Sequence, residues 1–119
     1  MMNMEVNGTR IQVKLYDNSS AEAVKDLLRK GPFTLSMKDY AHMEKFGSFG
    51  MQLPANDEPI TTEAGDVILS EGNLLVIYYA PNTWNFTRLG KVQNLSGEKL
   101  KEVLGKGSIT ATLTLDEEE

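Results

Sequence analysis

Apolar and polar positions alternate cleanly from Thr9 to Tyr16: Ile11, Val13 and Leu15 fall on one side, Arg10, Gln12, Lys14 and Tyr16 on the other. A period of two marks a half-buried strand. Asn7-Gly8, just before it, suits a tight turn, so a short strand over Met4 to Val6 is predicted to fold back on it. The period then lengthens. Ala23, Val24, Leu27 and Leu28 form one stripe at helical spacing, with Lys25, Asp26, Arg29 and Lys30 on the wet side. Ser19 is expected to cap this helix, Glu22 to reach back in a capping box, and Gly31-Pro32 to end it. A second, shorter helix is expected after a Ser96 cap, with Leu100, Val103 and Leu104 inward and Gly105 at its end.

The densest apolar pattern runs from Asp66 to Tyr79. Two β-branched-rich runs flank Glu71-Gly72, which predicts a hairpin. Leu74 to Ile77 contains no polar residue, so this strand is expected to be covered on both faces, one by the core and the other by a helix or loop. Phe33 to Met37 is a short strand candidate, and Lys45 to Met51 another in which glycines permit a bend. Pro54 to Ala64 reads as loop and Ala80 to Thr83 as a turn. Phe86 to Val92 reads as a strand whose Gly90 points to close backbone approach, and Ser108 to Leu115 as the last strand. Seven or eight strands with one at each end of the chain, plus two short helices, predict a mainly β fold: a closed antiparallel barrel with a helix over each open end.

At 119 residues the chain is one domain, residues 1–115, followed by an acidic C-terminal tail over 116–119. It has no cysteine, which excludes disulfides, thiolate metal sites and a cysteine nucleophile. The net charge of -5 does not fit a surface that tracks nucleic-acid phosphates. No apolar run approaches the roughly 20 residues of a membrane span. The N-terminus shows neither a charged n-region nor an apolar h-region, so a cytoplasmic location is expected.

The order of features now matters more than any one of them. Leu15-Tyr16-Asp17-Asn18, Gly65-Asp66-Val67, Gly72-Asn73-Leu74 with the run to Tyr79, and Leu89-Gly90-Lys91-Val92 follow one another as in the cyclophilin barrel. Nearly the whole chain resembles it, and most closely the small bacterial cyclophilin-like family. That resemblance implies a fold more firmly than a function. True cyclophilins isomerise the bond before proline, over a barrier of roughly 20 kcal/mol. The chemistry needs an apolar pocket for the ring and a guanidinium that favours the pyramidal nitrogen of the transition state. In cyclophilins the arginine follows a phenylalanine and a histidine on an early strand. The matching stretch here, Phe33-Thr34-Leu35-Ser36-Met37, has no arginine. Arg10 and Arg29 fall on a solvent face and in a helix's last turn, which leaves Arg88 as the weak candidate for a catalytic role.

The pocket has more to offer than the arginine. Trp84 lies close to where cyclophilins place a ligand-contacting tryptophan, and Tyr40, Phe46, Phe49 and Met51 come from the region expected to line the same face. For Phe46 and Phe49 filling the barrel or bracing loops is the favoured reading, while for Trp84 the two readings are level. The first expectation is therefore a non-catalytic binding module for a short peptide or small molecule. Its candidate contacts are Tyr40, Phe46, Phe49, Met51 and Trp84 as apolar anchors, with Asn73 as a hydrogen-bonding group. Peptidyl-prolyl isomerase is the alternative, and an assembly subunit of unspecified oligomeric state the third. Asp39, His42 and Glu44 are close in sequence, but one imidazole and two carboxylates occur in ordinary surface loops, so no metal or cofactor is expected. Nor does the sequence show a burial that would fit Asp39 or Glu44 for acid–base work.

Overall fold

The two ends of the chain meet. Strand β1 (Met2–Val6) runs antiparallel to β9 (Ile109–Leu115), with Met4 opposite Leu113. The computed structural model describes residues 1–41, 43–105 and 107–116. From β9 the sheet continues through β3 (Phe33–Tyr40), β4 (Glu44–Ser48), β7 (Leu74–Tyr78), β6 (Asp66–Ser70) and β8 (Asn82–Val92); on the other side of β1 lies β2 (Thr9–Leu15). β8 then pairs with β2, Val13 opposite Val92 and Leu15 opposite Gly90, and the ring of eight antiparallel strands is closed. Gly90 is required there. A Cβ at that position would lie 2.6 Å from the Lys14 carbonyl oxygen and 2.6 Å from a Val13 methyl, so a side chain would push apart the seam that completes the barrel.

Alternation on each strand sorts the side chains. Met2, Met4, Ile11, Val13, Leu69 and Leu113 are fully buried in the interior. Helix α1 (Ser19–Arg29), which follows the end of β2, adds Ala21, Val24 and Leu28 to this core. Helix α2 (Gly97–Leu104) adds Leu100 and Leu104, and is held at the other end of β2, where the Asn7 side-chain amide donates to the Val103 carbonyl at 3.1 Å. The cap of α1 differs from expectation. Asn18, in extended backbone, accepts from the Ala21 amide at 2.8 Å, and its own side-chain amide donates to the Arg88 carbonyl at 2.8 Å. Asn18 thus caps the helix and ties it to β8, whereas Ser19 is already helical and Glu22 pairs with Lys25. Ser96 caps α2 as expected, accepting from the Lys99 amide.

β7 is covered on both faces, as its unbroken apolar run requires. Leu75 and Ile77 belong to the interior; Val76 and Tyr78 point outward into a second cluster with Ile60, Ile68 and Phe86. The outer cover is neither a helix nor a loop. Residues 54–64 contain strand β5 (Glu58–Thr62), and β8 begins at Asn82, within the stretch expected to be a turn. β5 pairs with the first half of β8, Ile60 opposite Trp84, and this ribbon lies against the outside of the barrel. Pro59 and the surrounding polar residues disguised β5, but a proline is tolerated on an edge strand. Burying an aliphatic or aromatic side chain is worth about 1.5–3 kcal/mol, enough for the five-residue outer cluster to hold the ribbon in place.

Candidate functional site

Between the ribbon and the barrel wall runs a groove of about 530 Å³. Its two sides follow from strand alternation. β4 sends Glu44 and Phe46 outward, and β7 sends out Leu74, Val76 and Tyr78; from the ribbon, Asn82, Trp84 and Phe86 recur with period two on the facing side of β8. Tyr40, opposite Glu44 in the β3–β4 ladder, stands at the rim and packs edge-on against Phe46, ring centres 6.4 Å apart. The floor is apolar, with the Tyr78 and Phe86 rings 5.7 Å apart. The rim is aromatic and open: Trp84 is 68% exposed and Tyr40 58%.

One end of the groove is polar. The Asn82 side-chain amide donates to the Tyr78 hydroxyl at 3.0 Å, and the Glu44 carboxylate lies beside that hydroxyl. Glu44 is only 8% exposed. Burial pushes its pKa above the usual carboxylate value; the charge of nearby Asp39 acts in the same direction, while the Tyr78 hydroxyl pulls the other way. Burial also raises the Tyr78 hydroxyl, as does the Glu44 carboxylate beside it.

The neighbouring ion pair faces the interior. Lys45, fully buried, places its ammonium 3.1 Å from Asp39 Oδ1 and donates to the Gly107 carbonyl, while the Tyr79 hydroxyl donates to the same Asp39 oxygen. Asp39 and Glu44, grouped as neighbours in sequence, therefore serve opposite faces of the sheet. His42 lies outside the described residues. Among the described residues, no three histidine, aspartate or glutamate side chains are placed to share a metal ion.

Of the anticipated contacts, the structure brings Tyr40, Phe46 and Trp84 together in the groove. It places the others elsewhere. Phe49 is buried in the barrel core against Phe33, ring centres 5.9 Å apart. Met51 is exposed on the following loop, outside the groove lining. Asn73 belongs to the β6–β7 turn, which is three residues long rather than two: Ser70 pairs with Leu74, and Glu71 and Gly72 adopt positive φ. Its carbonyl accepts from the Phe49 amide at 2.9 Å. Arg88 is exposed, 3.5 Å from Glu58, and does not line the groove. The residue overlooked was Glu44, set aside for lack of evident burial. Its alternation with Phe46 was the available signal.

A family model described as the cyclophilin-like family matches residues 4–115. Solved structures share the fold. McbB, solved in complex with tryptophan, superposes with a TM-score of 0.73 at 17% identity, covering 100% of this chain and 46% of McbB, so the present chain spans less than half of that protein's length. The hypothetical protein AF2241 from Archaeoglobus fulgidus gives a TM-score of 0.69 at 15% identity, over 95% of this chain and 92% of that one. At these identities the likeness is one of fold. A comparison with curated proteins finds no match. No helix among the described residues is long and apolar enough to cross a membrane.

Proposed function

The chain belongs to the cyclophilin-like family, and we propose that it is a non-catalytic binding module whose outer groove takes a small molecule or short peptide. The observation that carries this is the pairing of an apolar floor with two large, exposed aromatic side chains, Trp84 and Tyr40, at its rim. Exposed aromatics over a concave apolar surface lose water-exposed area when a ligand enters. The volume lies within the range of about 300–1,000 Å³ typical of small-molecule sites. The tryptophan held by McbB is a small aromatic molecule of the size such a groove would admit. Isomerase activity has less support, because the guanidinium it needs would have to come from Arg88, which pairs with Glu58 outside the groove.

Trp84 is the only tryptophan in the chain, so its emission reports directly on the rim. Titration with a library of small amphipathic molecules and short peptides should yield at least one saturable change in Trp84 fluorescence, lost in Phe86→Ala. Uniform silence across the library would count against a binding role.

A further inference from the structure

We propose that the groove selects a ligand whose apolar body carries a protonated amine, and that Glu44 receives that amine; this rests on the groove being a binding site. The lining supplies acidic groups at both ends, Glu44 at one and Glu71 at the other, and no lysine or arginine among the described residues. Two nearby cations are committed elsewhere, and a third shares the outer face but stays in solvent, outside the lining. Lys45 is turned into the barrel toward Asp39, Arg88 pairs with Glu58, and Lys38, opposite Phe46 on β3, is exposed outside the lining.

Glu44 is the unusual member of this set. Buried carboxylates are normally met by a cation, because desolvating an uncompensated charge is costly. Asp39 follows that rule through Lys45, 3.1 Å away. Glu44, less than a tenth exposed, has the Tyr78 hydroxyl but forms no ion pair with any described residue. A carboxylate has about four acceptor positions, so one hydroxyl leaves most of them for a ligand. The polar groups behind it are oriented to keep it an acceptor. Asn82 donates to the Tyr78 oxygen, which leaves the Tyr78 proton free to be donated, and the Asn82 side-chain oxygen is taken by the Thr83 amide.

The aromatic lining acts in the same sense. Phe46, Tyr40 and Trp84 bring aromatic rings to the lining, and the face of such a ring attracts a cation and disfavours an anion. A carboxylate or phosphate ligand would meet like charge from Glu44 and Glu71, with no described basic side chain in the lining to offset it. An ammonium on an apolar body matches both halves of the groove.

The test compares three probes of nearly one shape, 2-phenylethylamine, 2-phenylethanol and 3-phenylpropionate, by isothermal titration and amide NMR on the intact chain and on Glu44→Gln. The amine should bind at least tenfold more tightly than the alcohol, the carboxylate should not bind, and Glu44→Gln should weaken the amine about tenfold while leaving the alcohol unchanged. Equal binding of amine and alcohol, or an unaltered amine affinity in Glu44→Gln, would overturn the assignment to Glu44 and leave the groove as a binding site. Failure of all three probes to shift any groove amide at millimolar concentration would overturn both. The wild-type probe series decides the preference for an amine independently of how Glu44→Gln folds.

Discussion

The inner and outer faces of one sheet use the same residue types to different ends. Inside the ring, apolar side chains from every quarter close on one another, and the buried lysine is met by a carboxylate, a carbonyl and, through Asp39, a phenol. Outside, β4 and β7 present a second apolar surface that the β5–β8 ribbon covers only in part. The buried carboxylate on that side has a phenol but no described cation. A sealed and compensated face contributes stability. The incompletely covered and uncompensated face retains the capacity to gain from a partner, which is what a binding site requires.

Breaking the inner ion pair should have the largest effect. Asp39→Ala removes the carboxylate facing the fully buried Lys45 and should cost about 3–5 kcal/mol in denaturant unfolding, as expected when one member of a buried pair is lost. A loss below about 1 kcal/mol would show that the Gly107 carbonyl and water suffice, and the contrast between the faces would weaken.

Adjacent leucines on β7 sharpen the comparison. Leu75 faces the interior and is fully buried, whereas Leu74 faces the groove and is half-buried. Leu75→Ala should cost about 2–5 kcal/mol, and Leu74→Ala about 1 kcal/mol, in keeping with its smaller buried area. Similar losses from both would mean that the groove is packed as tightly as the core.

The smallest effect is electrostatic. Because the folded-state pKa of Glu44 lies above its ordinary value of 4.5, the folded chain binds this proton more readily than the unfolded chain. Its contribution therefore favours folding at low pH and is lost as pH rises from about that ordinary value through the raised one. Glu44→Gln should remove that part of the pH dependence and be modestly more stable than wild type at neutral pH. Thermal melts of the two proteins across the acid range check this; parallel curves would contradict it.

Much of the ring was legible because its strands carry strong local patterns. β2 alternates without exception, β7 shows the unbroken run of a strand covered twice, and Gly90 marked the closure seam. The ribbon was not legible. Pro59 and the polar positions of β5 look like loop, and only pairing with β8 makes a strand of them. Its omission left Trp84 between a turn and a strand, whereas it stands within β8 with Asn82 and Phe86. Phe46 and Phe49, three residues apart, could not be told apart by composition. The structure separates them because β4 ends at Ser48, leaving Phe46 on the outer face while Phe49 enters the core. Asp39 and Glu44 were likewise separated by strand pairing, which no local spacing reveals.

The central claim is that ligands meet the outer face and not the barrel interior or the β6–β7 turn. Amide NMR of isotope-labelled protein, titrated with a set of small aromatic fragments, tests it directly. The expected shifts concentrate on Tyr40, Glu44, Phe46, Val76, Trp84 and Phe86, and leave Ile11, Val13 and Leu113 unmoved. Shifts centred instead on Phe49, Met51 and Asn73 would contradict the claim and move the site to the turn.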